Sequence, residues 1–428
     1  MIILLFAMLF LFIAMGFSIW TAMGISGLIY ILIQGDFSLR ILIQTMVGGI
    51  DSTTLVAIPF FIFVGKLMSR SGMIKKLADF CDFFVGRFRG GLAYVSIVVS
   101  FIMAGVSGSA VADASSVSAV LHPLMKERDY DDEFAAAINS SSAVIGPIFP
   151  PSIPMMFISV ISGLSLGRLF LGGVVPGIMM AIFLTGMVAF VSRKKNYRTV
   201  KTKMSLRRLL FLLKDSIFAI IGPLIIIGGI VFGVVTLVEV AVLAIFYFIV
   251  VSLFVYRSIK LKDLFPIFKE TAVFSASIMI IFAVVGLYQY IVATEQLGDQ
   301  LLRVIQSASM SKHLFLLFST IFFLLMGCVL DAVPVMLIFF PVLLPIAVGL
   351  GIDPTHYGVI VVLNLMIGLL TPPIGGILFI QSKIAGLDFN IMVRAILPYT
   401  LTLIAVLLLI TYVPSLVMIV PNLVFGGG

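Results

Sequence analysis

The chain has 428 residues, of which 61% are hydrophobic and only 11% charged, with a net charge of +8. Its mean hydropathy is +1.26, whereas soluble domains carry about 25% charged residues. This excludes a soluble globular protein. Recurrent runs of about 20 apolar residues instead indicate an all-α polytopic membrane protein, and the short alternating segments of a β-barrel are missing.

The first charge along the chain is Asp36. A cleavable signal needs a basic n-region and a short apolar core. Residues 1–38 are therefore read as a retained N-terminal span, expected to break or tilt near Gly24 to Gly27 and to belong to a scaffold. Residues 39–192 form a first unit. It opens with Leu39 to Ser71, where Asp51-Ser52-Thr53-Thr54 and Pro59 interrupt an apolar run and suggest a re-entrant hairpin. Gly90 to Met125 is broken at Gly105-Val106-Ser107-Gly108-Ser109, and Glu133 to Ser162 at Gly146-Pro147-Ile148-Phe149-Pro150-Pro151. A smoother span runs from Leu169 to Val191.

Residues 193–264 hold a basic loop and two further spans, near 215–235 and 239–256. Arg193, Lys194, Lys195, Arg198, Lys201, Lys203, Arg207, Arg208 and Lys214 follow one another without an acidic residue, and Arg257, Lys260, Lys262 and Lys269 form a second basic stretch. Two spans separate the stretches, so both lie on one side, which the positive-inside rule makes cytoplasmic. The positive charge is thus topological and indicates no nucleic-acid partner. Residues 265–428 form a second unit: an interrupted segment from Phe265 to Val292 with Ser275-Ala276-Ser277 inside it, His313 to Val348 broken near Gly327 to Pro334, Tyr357 to Ile384 broken at Gly368 to Pro373, and a smooth last span from Ile391 to Met418.

The two units share their breaks at an offset of 222 positions: Gly105 with Gly327, Pro123 with Pro345, Gly146 with Gly368, Pro150-Pro151 with Pro372-Pro373, and Pro176 with Pro398. Glycine and proline free backbone groups, which hydrocarbon tolerates only against protein or a watery cavity. Paired broken segments point to a secondary transporter with its site between repeats. The repeats could be parallel or inverted; midplane broken helices favour inverted.

Polar clusters at membrane depth are costly unless paired or wet. Four stand out: Ser52-Thr53-Thr54; Ser107 to Ser109 with Asp113, Ser115 and Ser116; Asn139 to Ser142; and Asp331 with Thr371. Carboxylate, hydroxyl and freed carbonyl oxygens at helix breaks suit a hard cation, and Na+ fits. The alternative is that Asp113 and Asp331 merely satisfy backbone donors at their own breaks. The proline doublets are read either as binding loops offering carbonyls or as simple kinks. Gly105-Val106-Ser107-Gly108 matches an intramembrane serine protease pattern, but none of the three histidines falls mid-span on a partner helix. There is no nucleotide-binding glycine loop, no His/Cys metal spacing, and no disulfide framework in two cysteines. Uphill transport would then need an ion gradient.

Together, Asp51 to Phe61, Gly105 to Asp113, Gly146 to Ser152, Asp331-Ala332-Val333-Pro334 and Leu370-Thr371-Pro372-Pro373-Ile374-Gly375 resemble the large membrane subunit of tripartite ATP-independent periplasmic (TRAP) transporters, along essentially the whole chain. The resemblance implies a multi-pass protein of the bacterial inner membrane. It implies an elevator-type transporter in which two hairpins and two broken helices move against a scaffold, coupling inward Na+ flow to uptake of an acidic solute such as a sialic acid or a C4-dicarboxylate. It also implies two partners, a separate small membrane subunit of about four spans and a periplasmic substrate-binding protein. Mapped onto this chain, hairpin tips fall near Ser52 to Thr54 and Ser275 to Ser277. Na+ ligands come from Gly105 to Ser109 and Gly327 to Asp331, with carbonyls near Gly146 to Pro151 and Gly368 to Pro373. Solute would be held by hydroxyls and half-helix N-termini. A self-sufficient sodium-coupled carboxylate carrier is the rival reading.

Overall fold

In the computed structural model, residues 2–35, 39–197, 205–231, 235–307 and 310–426 are described, and among them every regular element is helical. Arg198, Lys201 and Lys203 of the basic loop lie outside the described residues. The elements are α1 (Ile2–Ala14), α2 (Ile19–Gln34), α3 (Leu39–Ile50), α4 (Thr53–Arg70), α5 (Met73–Val85), α6 (Gly91–Ser107), α7 (Ala110–Glu127), α8 (Asp132–Ala143), α9 (Ile153–Ser162) and α10 (Leu166–Lys194). They continue with α11 (Leu206–Val231), α12 (Leu237–Val250, ending in a π-helical turn over Val251–Val255), α13 (Leu261–Thr294), α14 (Leu297–Ser307), α15 (Lys312–Val329), α16 (Ala332–Gly349), α17 (Pro354–Gly368), α18 (Gly376–Ala385), α19 (Phe389–Tyr412) and α20 (Ser415–Phe425). Eight of the described helices are long and apolar enough to cross a membrane.

Element boundaries follow the sequence offset closely. Shifted by it, α5 through α9 fall on α14 through α18, and α10 covers α19. The shared breaks therefore separate equivalent pairs: α6 from α7 as α15 from α16, and α8 from α9 as α17 from α18. Both Pro150-Pro151 and Pro372-Pro373 carry a cis peptide bond.

Three expectations are corrected. The chain reverses into packed helical hairpins at Ser107–Ser109 and Leu330–Asp331, not at Ser52–Thr54 or Ser275–Ser277: α6 packs on α7 and α15 on α16, while α3 lies along α13 rather than along α4. Ser275 and Ser277 sit inside the continuous 34-residue α13. No glycine or proline occurs between Pro266 and Gly286 to open that helix, and the Ser277 hydroxyl bonds back to the Val273 carbonyl. The N-terminal break falls at Gly16, whose φ of 87° suits glycine. Gly24 and Gly27 stay helical, and Gly27 lets Leu287 approach, since a Cβ there would lie 2.8 Å from Leu287 Cδ2. The last span is two helices, because Pro414 has no amide hydrogen to continue α19.

Two groups of helices stand out, and they touch each other where α11 packs on α5 and α6 and α4 on α6 and α9. The hairpins and broken helices of both halves interlock through α7 with α18, α8 with α18, and α9 with α16 and α17. A second group joins α2, α3 and α4 to α12 and α13, with α11 on α12. Polar ties pin α2 to α13 there: Ser26 meets Tyr288 at 2.5 Å, and Glu295 accepts from Tyr30 at 2.5 Å and Gln34 at 3.0 Å. These donors, Tyr30 first, hold the Glu295 carboxyl below its ordinary range. Ion pairs tie α5 to its surroundings, with Lys76 on Asp215 at 2.6 Å and Arg128 forked onto Asp82 at 2.9 and 2.7 Å. Cys81 and Cys328 are free and buried.

Candidate functional site

The first hairpin tip is built by its own polar residues. Gly108 adopts φ 55°, and a Cβ on it would fall 2.6 Å from the Pro151 carbonyl oxygen. The tip is thus pressed against the break of the α8–α9 helix. Ser109 caps α7, accepting from the Ala112 amide at 3.4 Å. One turn on, Asp113 is fully buried. Its Oδ1 accepts from the Ser107 hydroxyl at 2.5 Å, while its Oδ2 has no hydrogen-bond partner. That free oxygen faces Gly146, where a Cβ would sit 2.2 Å from it. A buried carboxylate oxygen without a donor is costly unless a cation or proton joins it. Ser107 therefore pairs with a carboxylate, whereas the intramembrane protease pattern pairs its serine with a histidine; His122 engages Asp132 at 3.1 Å instead.

The second tip repeats the outline with other chemistry. Asp331 caps α16, accepting from the Val333 amide at 3.4 Å, so it occupies the role of Ser109. The position equivalent to Asp113 is Val335, buried and apolar. Gly327 and Gly368 touch directly, a Cβ on Gly368 falling 2.7 Å from Gly327 Cα. Gly105, the partner of Gly327 in sequence, faces Pro223 and Ile227 of α11 instead, each 3.1 Å from an added Cβ. Thr371 returns its hydroxyl to the Ile367 carbonyl at 2.9 Å. The Cys328 carbonyl accepts from the Ile374 and Gly375 amides beyond Pro372-Pro373, at 3.2 and 3.3 Å.

Between the tips lies a cavity of about 200 Å³ lined by Ser109 and Asp331 from the tips, Pro147 and Phe157 from the first broken helix, and Phe274 and Ile278 from α13. Ser52, Thr53 and Thr54 do not line it, and neither do Ser275 and Ser277, although their neighbours on α13 do. Pro150, Pro151, Pro372 and Pro373 stand behind the tips and do not line it. Asn139 to Ser142 serve packing: Ser96 donates to Asn139 Oδ1 at 2.6 Å, and Ser100 to Ser142 at 3.0 Å.

Sequence reasoning missed three features. Gln381 of α18 donates to the Ala114 carbonyl of α7 at 2.8 Å, and Ser118 donates to its Oε1 at 3.0 Å, joining the two halves by buried bonds. Phe157 and Phe274 wall the cavity. Lys66, Arg70 and Glu270 form an ion-pair cluster beside it. The signal for the last was available, since charges within apolar spans are costly and suggest function. At the far end of α7, Asp131 accepts from Lys195 and from Tyr197 at 2.8 Å; Lys195 above all holds its carboxyl below the usual range.

Comparison with known proteins agrees with this architecture. Residues 6–416 match the family described as "Tripartite ATP-independent periplasmic transporter, DctM component". The chain is 35% identical to the sialic acid TRAP transporter large permease protein SiaM of Vibrio cholerae, over 94% of each chain. It is 34% identical to the C4-dicarboxylate TRAP transporter large permease protein DctM of Pseudomonas aeruginosa, again over 94% of each. In fold it is similar to the YdaH transporter of Alcanivorax borkumensis, with a TM-score of 0.66 and 13% identity, covering 91% of this chain and 90% of that one. The chain belongs to the DctM family of TRAP transporters, and it is a multi-pass membrane transport protein rather than an enzyme.

Proposed function

We propose that this chain moves an acidic organic solute inward together with Na+, receiving it from a periplasmic binding protein and working beside a small membrane subunit. The observation that carries the Na+ assignment is the buried Asp113 with one unpartnered oxygen aimed at the Gly146 break. A hard cation there would be held by Asp113, the Ser107 hydroxyl and carbonyls freed around Gly146; oxygen-only ligands at helix breaks are the pattern of sodium-coupled carriers. Asp331 lines the solute cavity, where a bare carboxylate would repel an acidic solute. A second Na+ at Asp331, with carbonyls near Gly368 and Thr371, would remove that repulsion and make solute binding depend on Na+.

The interlocked hairpins and broken helices would form the moving body, and α2–α4 with α11–α13 the scaffold. The Gln381 bonds to α7 support movement of both halves as one piece. The matched element boundaries support two repeats, which we read as inverted because both breaks then meet one cavity from opposite sides. The relatives named for sialic acid and for C4-dicarboxylate mark the two solutes to test first.

The test is uptake of radiolabelled N-acetylneuraminate and of succinate into proteoliposomes holding this chain and its small subunit, with and without a Na+ gradient and the binding protein. Uptake that needs both is the expected result. Na+-driven uptake without the binding protein would mean a self-sufficient carrier, and uptake indifferent to Na+ would overturn the coupling.

A further inference from the structure

The cavity between the hairpin tips does not end at Ser109. A second cavity of about 340 Å³ shares Ser109, Val111, Ile153 and Phe274 with it and runs between α4, α7 and α13. Its far end is charged. Lys66 and Arg70 lie one turn apart on α4, and Glu270 reaches them from α13, with Arg70 Nη2 at 2.6 Å from one carboxylate oxygen and Lys66 Nζ at 3.5 Å from the other. Two cations thus share one anion, and Lys269 lines the adjoining cavity as a third. Among the described residues lining these two cavities, Glu270 is the only acidic one. The hydroxyls of Ser69, Ser115 and Ser116 line the passage between this cluster and the hairpin tip.

We propose that Lys66 and Arg70 form a second, exchangeable carboxylate subsite, on which a solute carboxylate takes the place of Glu270 as it passes between the central cavity and solvent. Glu270 is the stand-in: it presents two oxygens to two cations, as a carboxylic solute would. The groups are accessible, with side-chain exposures of 29% for Lys66, 46% for Arg70 and 47% for Glu270, and ion pairs this exposed add little to stability. Stability alone therefore does not account for the cluster. The cluster leaves an excess positive charge in a cleft with low-dielectric walls, which concentrates anions. Releasing Glu270 when solute arrives keeps both cations paired, and the freed carboxylate, 47% exposed, turns to solvent.

The inference rests on the acidic-solute reading above, and a test without the solute separates the two. In the full-length chain in lipid nanodiscs, Ser115→Cys would be labelled with an anionic (sulfonatoethyl) and a cationic (aminoethyl) methanethiosulfonate; Cys81 and Cys328 are buried. The anionic-to-cationic rate ratio should fall about five-fold or more in Lys66→Gln/Arg70→Gln and rise in Glu270→Gln, as expected for a charge-focusing cleft. A ratio unmoved by both changes would overturn the subsite. In the uptake assay the double variant should raise KM for the transported acid several-fold. If wild type carries neither acid, those two solutes are excluded and the labelling ratio alone decides the subsite; if it carries one with KM and ratio unchanged in the variant, only the subsite fails.

Discussion

At the first hairpin tip Ser109 caps α7, and one turn further in Asp113 is buried under the tip; at the second, Asp331 does the capping and Val335 fills the inner place. The glycines that match in sequence also part company. Gly146 makes room for a carboxylate oxygen, Gly368 for the backbone of Gly327, and Gly105 for the side chains of α11. A duplicated backbone outline has therefore been given two electrostatic characters, one sealed and one open to the cavity between the tips. On our account the sealed carboxylate binds Na+ regardless of solute, and the open one couples Na+ to solute.

The strongest way to break this contrast is Asp113→Asn, which keeps the volume and removes the charge. Uptake should fall by about 100-fold or more and lose its dependence on Na+, because a buried polar group would stand where a cation needs a charge. Correct folding of that variant is checked by its elution as a single species in detergent. Gly146→Ala comes next: its Cβ would collide with Asp113 Oδ2 at 2.2 Å, against 3.1 Å to Ile227 Cδ1 and the Pro223 ring for Gly105→Ala. Uptake should drop about ten-fold or more in the first and at most about two-fold in the second. Equal losses would mean that the sequence symmetry, and not the sealed carboxylate, governs both sites. Asp331→Asn removes the repulsion together with the cation's ligand, so the Na+ concentration for half-maximal uptake should shift by about three- to ten-fold while solute still binds. Unchanged Na+ activation would contradict the coupling role.

The smallest effect lies at the surface end of the first half. Asp131 has a depressed carboxyl owing to Lys195, so it contributes stability above the unfolded carboxylate range that disappears as pH falls through its folded value. Both partners are substantially exposed, at 37% and 47%, so Lys195→Ala should cost at most about 1 kcal/mol at pH 7. The difference from wild type should shrink in thermal melts as pH falls below the unfolded carboxylate range, about 3.9.

Much of the fold was legible because breaks leave marks. Gly108, Gly146 with Gly368, and Pro150-Pro151 with Pro372-Pro373 are residues that a continuous helix avoids, and each lies at or beside an observed break, whereas Pro123, Pro176, Pro345 and Pro398 stay inside helices. The hairpin tips were misplaced because serine and threonine are ambiguous inside helices: Ser277 bonds back to the turn before it, and Thr53-Thr54 simply begin α4. Asp113 could be picked out as an intramembrane carboxylate, but its orphaned oxygen could not. That property depends on how α7 meets the Gly146 break, far along the chain. Lys66, Arg70 and Glu270 were likewise separate charges in the sequence, and only the approach of α4 to α13 makes them a cluster.

The most direct measurement is a Na+ titration of thermal stability, at constant ionic strength against choline and without solute, in wild type, Asp113→Asn and Asp331→Asn. A ligand that binds only the folded state raises stability by about 2.7 kcal/mol at 100 times its Kd. Tm should rise with Na+ in wild type and rise less in both variants, with the larger loss in Asp113→Asn. A full rise in Asp113→Asn would contradict Na+ binding at Asp113.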